Sequence, residues 1–352
     1  MIYPSYGNGV LRALLKGALS DFGPPISSIL LLADEAAWPI CEQAVEEALE
    51  QLGTPTHRLL WAADESRKTM AQAEAVASYF VTEGCDRDSL LLAVGGGVTT
   101  DLGGFTASIL LRGIRWGAVP TTLLAMADAA IGGKTAVNLP EGKNLLGRFH
   151  HPLFVLCDVA TLATLPPREW NSGLGEVLKT AFLSGEEAWR RLEDASPEEL
   201  RQPGELSLEI AADCGRTKMR VVEEDPEEQG IRKLLNFGHT FGHALETAAE
   251  GRLGHGEAVA LGIRCAMRMA EELDIAEPGV APRVRGLAAK LQLPSEFPGK
   301  LPSPGELQTL MMRDKKARKG SLDLVLPVEP GRCLLLKGVD PKVAAQVIHR
   351  EL

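Results

Sequence analysis

No CxxC pair occurs among the six cysteines, which fall singly at positions 41, 85, 157, 214, 265 and 333 of the 352 residues. That scatter does not read as a disulfide framework; it fits free thiols in a reducing compartment, and a cytoplasmic location follows. No apolar run comes near the roughly 20 residues that a membrane-spanning helix needs; "SSILLL" and "LLLAV" are among the longest. The opening "MIYPSYGNGV" lacks a basic segment followed by an apolar one, so an unexported protein with no membrane partner is expected. Positive charge is also short. Lys and Arg number 37 against 47 Asp and Glu, a formal net charge of −10, which argues against a nucleic-acid partner and requires any anion site to be built locally. No internal repeat or low-complexity tract is present. Two familiar signatures fail at one position each. Thr240 stands at the glutamate of HExxH, which removes the general base of a metallopeptidase, and Thr100 stands at the third glycine of GxGxxG.

What is there is a rhythm of strand-like and helix-like runs. "SSILLLADE" (27–35), "THRLLWA", "SLLLAVGGG" and "IRWGAVPTT" alternate with helical stretches through "AVEEALEQLG" and "MAQAEAVASYFVTEG". This pattern predicts a parallel α/β sheet. After the double proline at 166 and 167 the pattern turns mainly helical, with a short strand pair, "LDLVLP" and "RCLLLKG", near the C-terminus. The expected organisation is an α/β nucleotide-binding domain over 1–166 and a mainly α-helical domain over 167–352, with the site between them.

Three imidazoles and one glycine turn carry the chemistry. "LLNFGHTFGHALE" (234–246) sets His239 and His243 four apart on one helical face, and "GHGEA" follows with His255. They read either as packed histidines satisfied by carbonyls or as part of a metal site. "LLLAVGGGVTTDLGGF" is a buried strand, a glycine turn at Gly95, Gly96 and Gly97, and a helix start, which brings backbone N–H groups up to an anion such as a pyrophosphate. Thr121 and Thr122 follow a strand at its ligand-facing end, and Asp34 ends the first strand where it could accept from ribose or adenine. "IGGKTAVNLPEGKNLLG" reads as a glycine-punctuated loop carrying Lys134, Lys143 and Asn144; "GLGEVLK" pairs Glu176 with Lys179; Lys218, Arg232, Lys315 and Lys316 add cations. Each alone is ordinary surface chemistry. Together they point to an anionic substrate.

Taken in order, "GGGVTTDLGGF", "RGIRWGAVPTTLLAMADAAIGGKTAVNLPEGKNLLG", "GLGEVLKTAF" and "LLNFGHTFGHALE…GHGEAVA" resemble the 3-dehydroquinate synthase family of the sugar-phosphate cyclases. The likeness covers nearly the whole chain and is weakest before residue 60 and between 275 and 305. It implies an NAD- and metal-dependent lyase of the shikimate pathway that acts on a sugar-acid phosphate and works as a homodimer. The implied metal, zinc or alternatively cobalt, would be held by Glu176, His239 and His255, with Glu257 a rival carboxylate. NAD would be held by Asp64, Glu65, Lys68, Gly95 to Gly97, Asp101, Thr121, Thr122, Lys143, and Thr161, Leu162, Ala163 and Thr164, with Lys134 nearby. Asp128, Lys134, Asn144, Lys179, Lys218, Arg232, Asn236, His243 and either Lys316 or Lys315 would face the substrate, and Arg112 would reach across the dimer. Thr100 departs from the family's glycine and leaves the path of the glycine turn open. Three rivals share some of these features: another sugar-phosphate cyclase, a polyol dehydrogenase of the glycerol dehydrogenase type, and a non-catalytic nucleotide-binding module.

Overall fold

The computed structural model describes residues 3–20, 25–226, 228–313 and 320–352. Two compact units emerge: residues 1–165 with 202–219, and residues 166–201 with 220–352. The expected domains are contiguous in sequence; these units are not, because 202–219 counts with the first.

The first unit contains β1 (Ser5–Gly7), α1 (Leu11–Ser20), β2 (Ile29–Asp34), α2 (Trp38–Leu52), β3 (Thr56–Trp61), α3 (Met70–Thr82), β4 (Leu90–Gly95), α4 (Gly97–Ile109), β5 (Arg115–Pro120), β6 (Lys134–Leu139), β7 (Gly142–Phe149) and β8 (Leu156–Asp158). Strands pair in the order β3-β2-β4-β5, all parallel, with Ile29 opposite Thr56 and Leu90, and Leu90 opposite Arg115. β2 and β4 are continuous apolar runs because both of their faces are covered. Ile29, Leu31, Leu90 and Leu92 pack with Leu15 of α1 and Trp38 and Val45 of α2. On the other face, a Cβ on Gly103 of α4 would stand 2.8 Å from Ala93 and 3.2 Å from Leu91, so α4 lies almost against the sheet.

One sequence expectation is corrected here. The supposed loop over 131–147 is the antiparallel hairpin β6–β7, with Lys134 opposite Phe149 and Val137 opposite Leu146. Its glycines mark a turn and a close approach. A Cβ on Gly147 would meet the Thr135 carbonyl oxygen at 2.5 Å.

The second unit holds α5 (Pro167–Ser184), α6 (Glu186–Asp194), the end of α7 (Glu205–Glu224), α8 (His239–Ala248), α9 (His255–Glu272), α10 (Val280–Lys290), α11 (Pro304–Arg313), the antiparallel pair β9 (Leu322–Glu329) and β10 (Arg332–Val339), and α12 (Pro341–Glu351). No helix among the described residues is long and apolar enough to cross a membrane. Arg283 of α10 forks onto two carboxylates of α6, at 2.7 and 2.9 Å from Glu193 and 3.0 and 3.1 Å from Glu186. Hydrogen bonds from Arg283 are the largest cause holding both carboxyls below their ordinary range. A depressed carboxylate adds stability above its unfolded pKa, about 4.3, and loses it as pH falls through the folded value. Arg283→Ala should therefore lower the unfolding midpoint at pH 7 by the equivalent of about 0.5–1 kcal/mol, the solvent-screened scale of such pairs. Melts from pH 7 to pH 3 should show the gap closing below pH 4; a constant gap would point to lost packing instead.

Candidate active site

Of the residues expected to face a nucleotide, Asp34, Gly95 to Gly97, Thr121 and Thr122 stand at or just past the C-terminal ends of β2, β4 and β5. The chain leaves β2 toward β3 on one side and returns as β4 on the other, so the strand order reverses between β2 and β4, where open α/β sheets bind ligands. Asp34 and Gly95 end those two strands. Gly95 has φ +156°, and a Cβ there would stand 2.7 Å from Thr99 and 3.0 Å from Asp34. Gly96 precedes α4 in extended backbone and Gly97 opens the helix, leaving first-turn N–H groups for an anion. Thr100, the departure from the family pattern, is buried and its hydroxyl donates to the Gly97 carbonyl at 3.2 Å, so it closes the first turn without blocking the loop. Burial raises the Asp34 carboxyl.

Beside this turn lies a polar network around the buried Lys68. Lys68, 3% exposed, donates to Asp101 at 2.9 Å and to Asn144 at 2.6 Å, and Asn138 donates to Glu65 at 2.7 Å. Burial raises the Asp101 carboxyl against the opposing pull of Lys68. Asp64 caps the short turn Glu65–Arg67 by accepting from Ser66 N at 2.8 Å. Asn144, expected to face the substrate, stands against Lys68, which was expected to hold the nucleotide, and is held at φ +54° while its backbone N–H donates to Asn138. Thr122 accepts from Ala125 N at 3.2 Å, and Thr121 is buried. Thr161 and Leu162 are buried, Ala163 and Thr164 exposed, in the turn Val159–Thr164. Lys134 and Lys143 are exposed on the hairpin.

Asp158 was missed by sequence reasoning. Its carboxylate accepts from Gly9, Val10, Leu11 and Ala160 N–H at 2.6–3.0 Å, capping α1 and the 161–164 turn at once. Lys218 reaches Asp128, donating to its carbonyl at 2.7 Å and pairing with its carboxylate. Arg112 is exposed at φ +72°.

In the second unit, Glu176, His239 and His255 converge, with one donor atom from each within 4.8 Å of the others. Glycines make this convergence. Each ligand is the neighbour of a glycine at a helix crossing: Gly175 before Glu176, Gly238 before His239, Gly256 after His255. A Cβ on Gly175 would stand 1.9 Å from the Gly256 carbonyl oxygen, and one on Gly256 1.9 Å from that of Ser172, so α5 and α9 touch backbone to backbone. Gly238 approaches Val259 of α9 in the same way, at 2.8 Å.

The residues fit a divalent cation. Glu176 is 1% exposed and neither of its oxygens has a partner in hydrogen-bond geometry, so the Lys179 ammonium beside Oε2 is left to balance its charge together with the two imidazoles. The Nε2 atoms of His239 and His255 stand 3.3 and 3.2 Å from Oε1 without hydrogen-bond geometry. Two nitrogens and a carboxylate leave coordination positions open for a substrate oxygen. Burial acts to raise the Glu176 carboxyl, but Lys179 and His239 outweigh it and hold it well below the ordinary range. Burial pushes His239 down to about 4, while at His255 contacts with Glu176 and Glu246 overcome burial and raise it to about 10. His239 Nδ1 stands 3.2 Å from the Phe237 carbonyl oxygen, so a proton held there leaves Nε2 as the lone-pair donor. The rival Glu257 is occupied elsewhere: it accepts from Gly254 N at 2.7 Å and Asn171 at 2.8 Å, capping α9. The Glu176–Lys179 pair is no exposed helix pair worth a few tenths of a kcal/mol, since its side chains are 1% and 2% exposed. His243 stacks edge-on against His239, ring centroids 5.3 Å apart, outside the ligand set.

Arg232 is fully buried and donates to the Pro226 carbonyl at 2.7 Å; Asn236 donates to Glu228 at 2.9 Å. Lys315 and Lys316 lie outside the described residues.

Family models described as 3-dehydroquinate synthase N-terminal and 3-dehydroquinate synthase C-terminal match residues 58–172 and 173–317 in succession. The chain belongs to the 3-dehydroquinate synthase family. The 3-dehydroquinate synthase of Symbiobacterium thermophilum is 41% identical over 341 residues, 96% of this chain and 95% of the relative. That of Paracoccus denitrificans is 37% identical over 347 residues, covering 97% and 94%. The dehydroquinate synthase fold extends to solved relatives. The 2-epi-5-epi-valiolone synthase of Streptomyces hygroscopicus subsp. jinggangensis, with NAD+ and Zn2+ bound, matches with a TM-score of 0.88 at 27% identity, covering 99% of this chain and 96% of that one. A 2-deoxy-scyllo-inosose synthase with carbaglucose-6-phosphate, NAD+ and Co2+ gives 0.85 at the same identity and coverage. Glycerol dehydrogenase of Schizosaccharomyces pombe, at 17% identity and a TM-score of 0.64, shares the fold alone.

Proposed function

We propose that the chain catalyses the reaction of its family, converting 3-deoxy-D-arabino-heptulosonate 7-phosphate to 3-dehydroquinate and phosphate in aromatic amino-acid biosynthesis. One observation carries the reading: a buried carboxylate and two imidazoles meet in a chain that the two family models match from residue 58 to 317. Glu176, His239 and His255 would hold the cation, and Gly95 to Gly97 with the first turn of α4 the NAD pyrophosphate. Bound there, NAD would supply a reversible acceptor for the hydride of the substrate alcohol and the cation a Lewis acid for its oxygen; the carbonyl so formed would acidify the neighbouring C–H and allow phosphate to leave.

The chain's own residues do the holding. Asp34, Asp64, Glu65, Lys68, Asp101, Thr121, Thr122, Lys143 and residues 161–164 line the nucleotide. Lys134, Asn144 and Asn236, with Lys315 or Lys316, take the phosphate. Lys218 as a point charge and Arg232 as a planar fork take the carboxylate. Lys179 and His243 flank the cation ligands, and Asp128 orients Lys218. The substrate's phosphate is itself a base, so no single protein base is required. The carboxylate grip separates this reading from cyclases whose substrates have no carboxylate.

We place the nucleotide residues in a domain over 1–166 and the metal ligands over 167–352. A cytoplasmic homodimer completes the proposal, with Arg112 reaching a second copy. Leu145 and Phe149, exposed along β7 on one side of the strand, offer it apolar surface. With NAD limiting and substrate in large excess, phosphate released should exceed total NAD many times over while free NADH stays near zero. A halt at one equivalent per NAD, with NADH rising in step, would favour a dehydrogenase.

A further inference from the structure

Resting on the metal reading above, we propose that Glu246 is a positioning residue for His255, holding its ring so that Nε2 faces the cation. Glu246 is the last residue of "LLNFGHTFGHALE", two helical turns after His239 on α8. Its Oε2 stands 3.0 Å from His255 Nδ1, while His255 Nε2 stands 3.2 Å from Glu176 Oε1. The two ring nitrogens thus face two different carboxylates, one inside the ligand cluster and one outside it.

An imidazole that ligates through Nε2 keeps its proton on Nδ1. A carboxylate accepting that proton fixes the tautomer and the ring rotation and makes Nε2 a better donor. His255 needs such a tether more than the other ligands. Its side chain is 32% exposed, against 11% for His239 and 1% for Glu176, so packing constrains its ring least. Glu246 is itself only 13% exposed and projects from the helix that begins with His239. α8 would therefore supply one ligand from its first turn and orient the next from its last.

The test uses full-length protein freed of metal, with zinc affinity measured against a chromophoric chelator and the visible spectrum recorded after cobalt loading. Glu246→Ala should weaken zinc binding about 10–100-fold, the scale on which loss of an outer-shell partner is felt, and shift the cobalt bands. Glu246→Gln, whose amide oxygen still accepts from Nδ1–H but carries no charge, should lose less, and in both variants zinc affinity should fall by more than the lower melting of the metal-free protein accounts for. Unaltered affinity and spectrum, or a loss wholly accounted for by lower stability of the metal-free protein, would make Glu246 a tie between α8 and α9 and nothing more. Should Glu246→Ala not fold, the same two readouts on Glu246→Gln decide. If wild-type protein takes up no stoichiometric metal, or His255→Ala binds it equally well, the ligand reading itself fails, and that result is independent of Glu246.

Discussion

His255→Ala is expected to take up far less zinc than the wild type, with a loss exceeding the about 10–100-fold that removal of an outer-shell partner costs, and phosphate release should fall with it. His255 is a better probe than Glu176. Replacing Glu176 would strand the Lys179 ammonium, 2% exposed, without its partner. Breaking a buried pair in this way destabilises by about 3–5 kcal/mol, so lost metal and lost fold would be confounded. His255→Ala strands less, since Glu176 keeps Lys179 and only the partly exposed Glu246 loses its partner. Glu257→Ala is the matching control, since that carboxylate caps α9. It should retain metal while losing about 1 kcal/mol of stability, the usual worth of a helix cap. Metal analysis and chelator competition on both variants decide the matter. Full occupancy in His255→Ala with metal lost from Glu257→Ala would reverse the ligand assignment.

Gly256→Ala should be among the most damaging single substitutions in the second unit. Its added methyl would stand 1.9 Å from the Ser172 carbonyl oxygen. The obstacle is backbone on a crossing helix, with no flexible side chain to swing aside, so α5 and α9 must part. Overpacking usually costs about 1–3 kcal/mol, and this site should reach or exceed the upper end. Metal binding should weaken as well, because α5 carries Glu176 and α9 carries His255. Gly286→Ala provides the contrast: it lies inside α10 with nothing within 4 Å of the added methyl. There the helix should gain about 0.5–1 kcal/mol from reduced freedom of the unfolded chain. Denaturant midpoints for the two variants should move in opposite directions. Equal shifts would mean that the helix crossing is more pliable than its backbone contacts indicate.

Much of the fold was legible because its signals are local. "ILLLAD" and "LLLAVG" announce strands buried on both faces, and the glycines after the second announce a turn into a helix. The β6–β7 hairpin was not legible. Nearly all of β7 is exposed, so no alternation of apolar and polar residues marks it, and its glycines mimic a loop. Asp158 and Glu246 were overlooked for a related reason: a carboxylate that accepts from backbone N–H groups about 150 residues away, or from a histidine on the next helix, has no local pattern to betray it.

The sequence by itself determined the α/β then helical order, the glycine turn, the overall shortage of positive charge that any anion site must overcome locally, and the histidine spacing that made a metal site one of two open readings. The choice between Glu176 and Glu257 was left to tertiary structure, since both carboxylates lie within two residues of a glycine near an apolar helix. Capping favours Glu176: Glu257 spends its oxygens on Gly254 and Asn171, whereas Glu176 is buried against the two imidazoles with only the Lys179 ammonium paired to it. Convergence of the three ligands was likewise a tertiary decision. It depends on backbone meeting backbone at Gly175, Gly238 and Gly256, and a glycine's lack of a side chain has meaning only when another helix arrives to use the space.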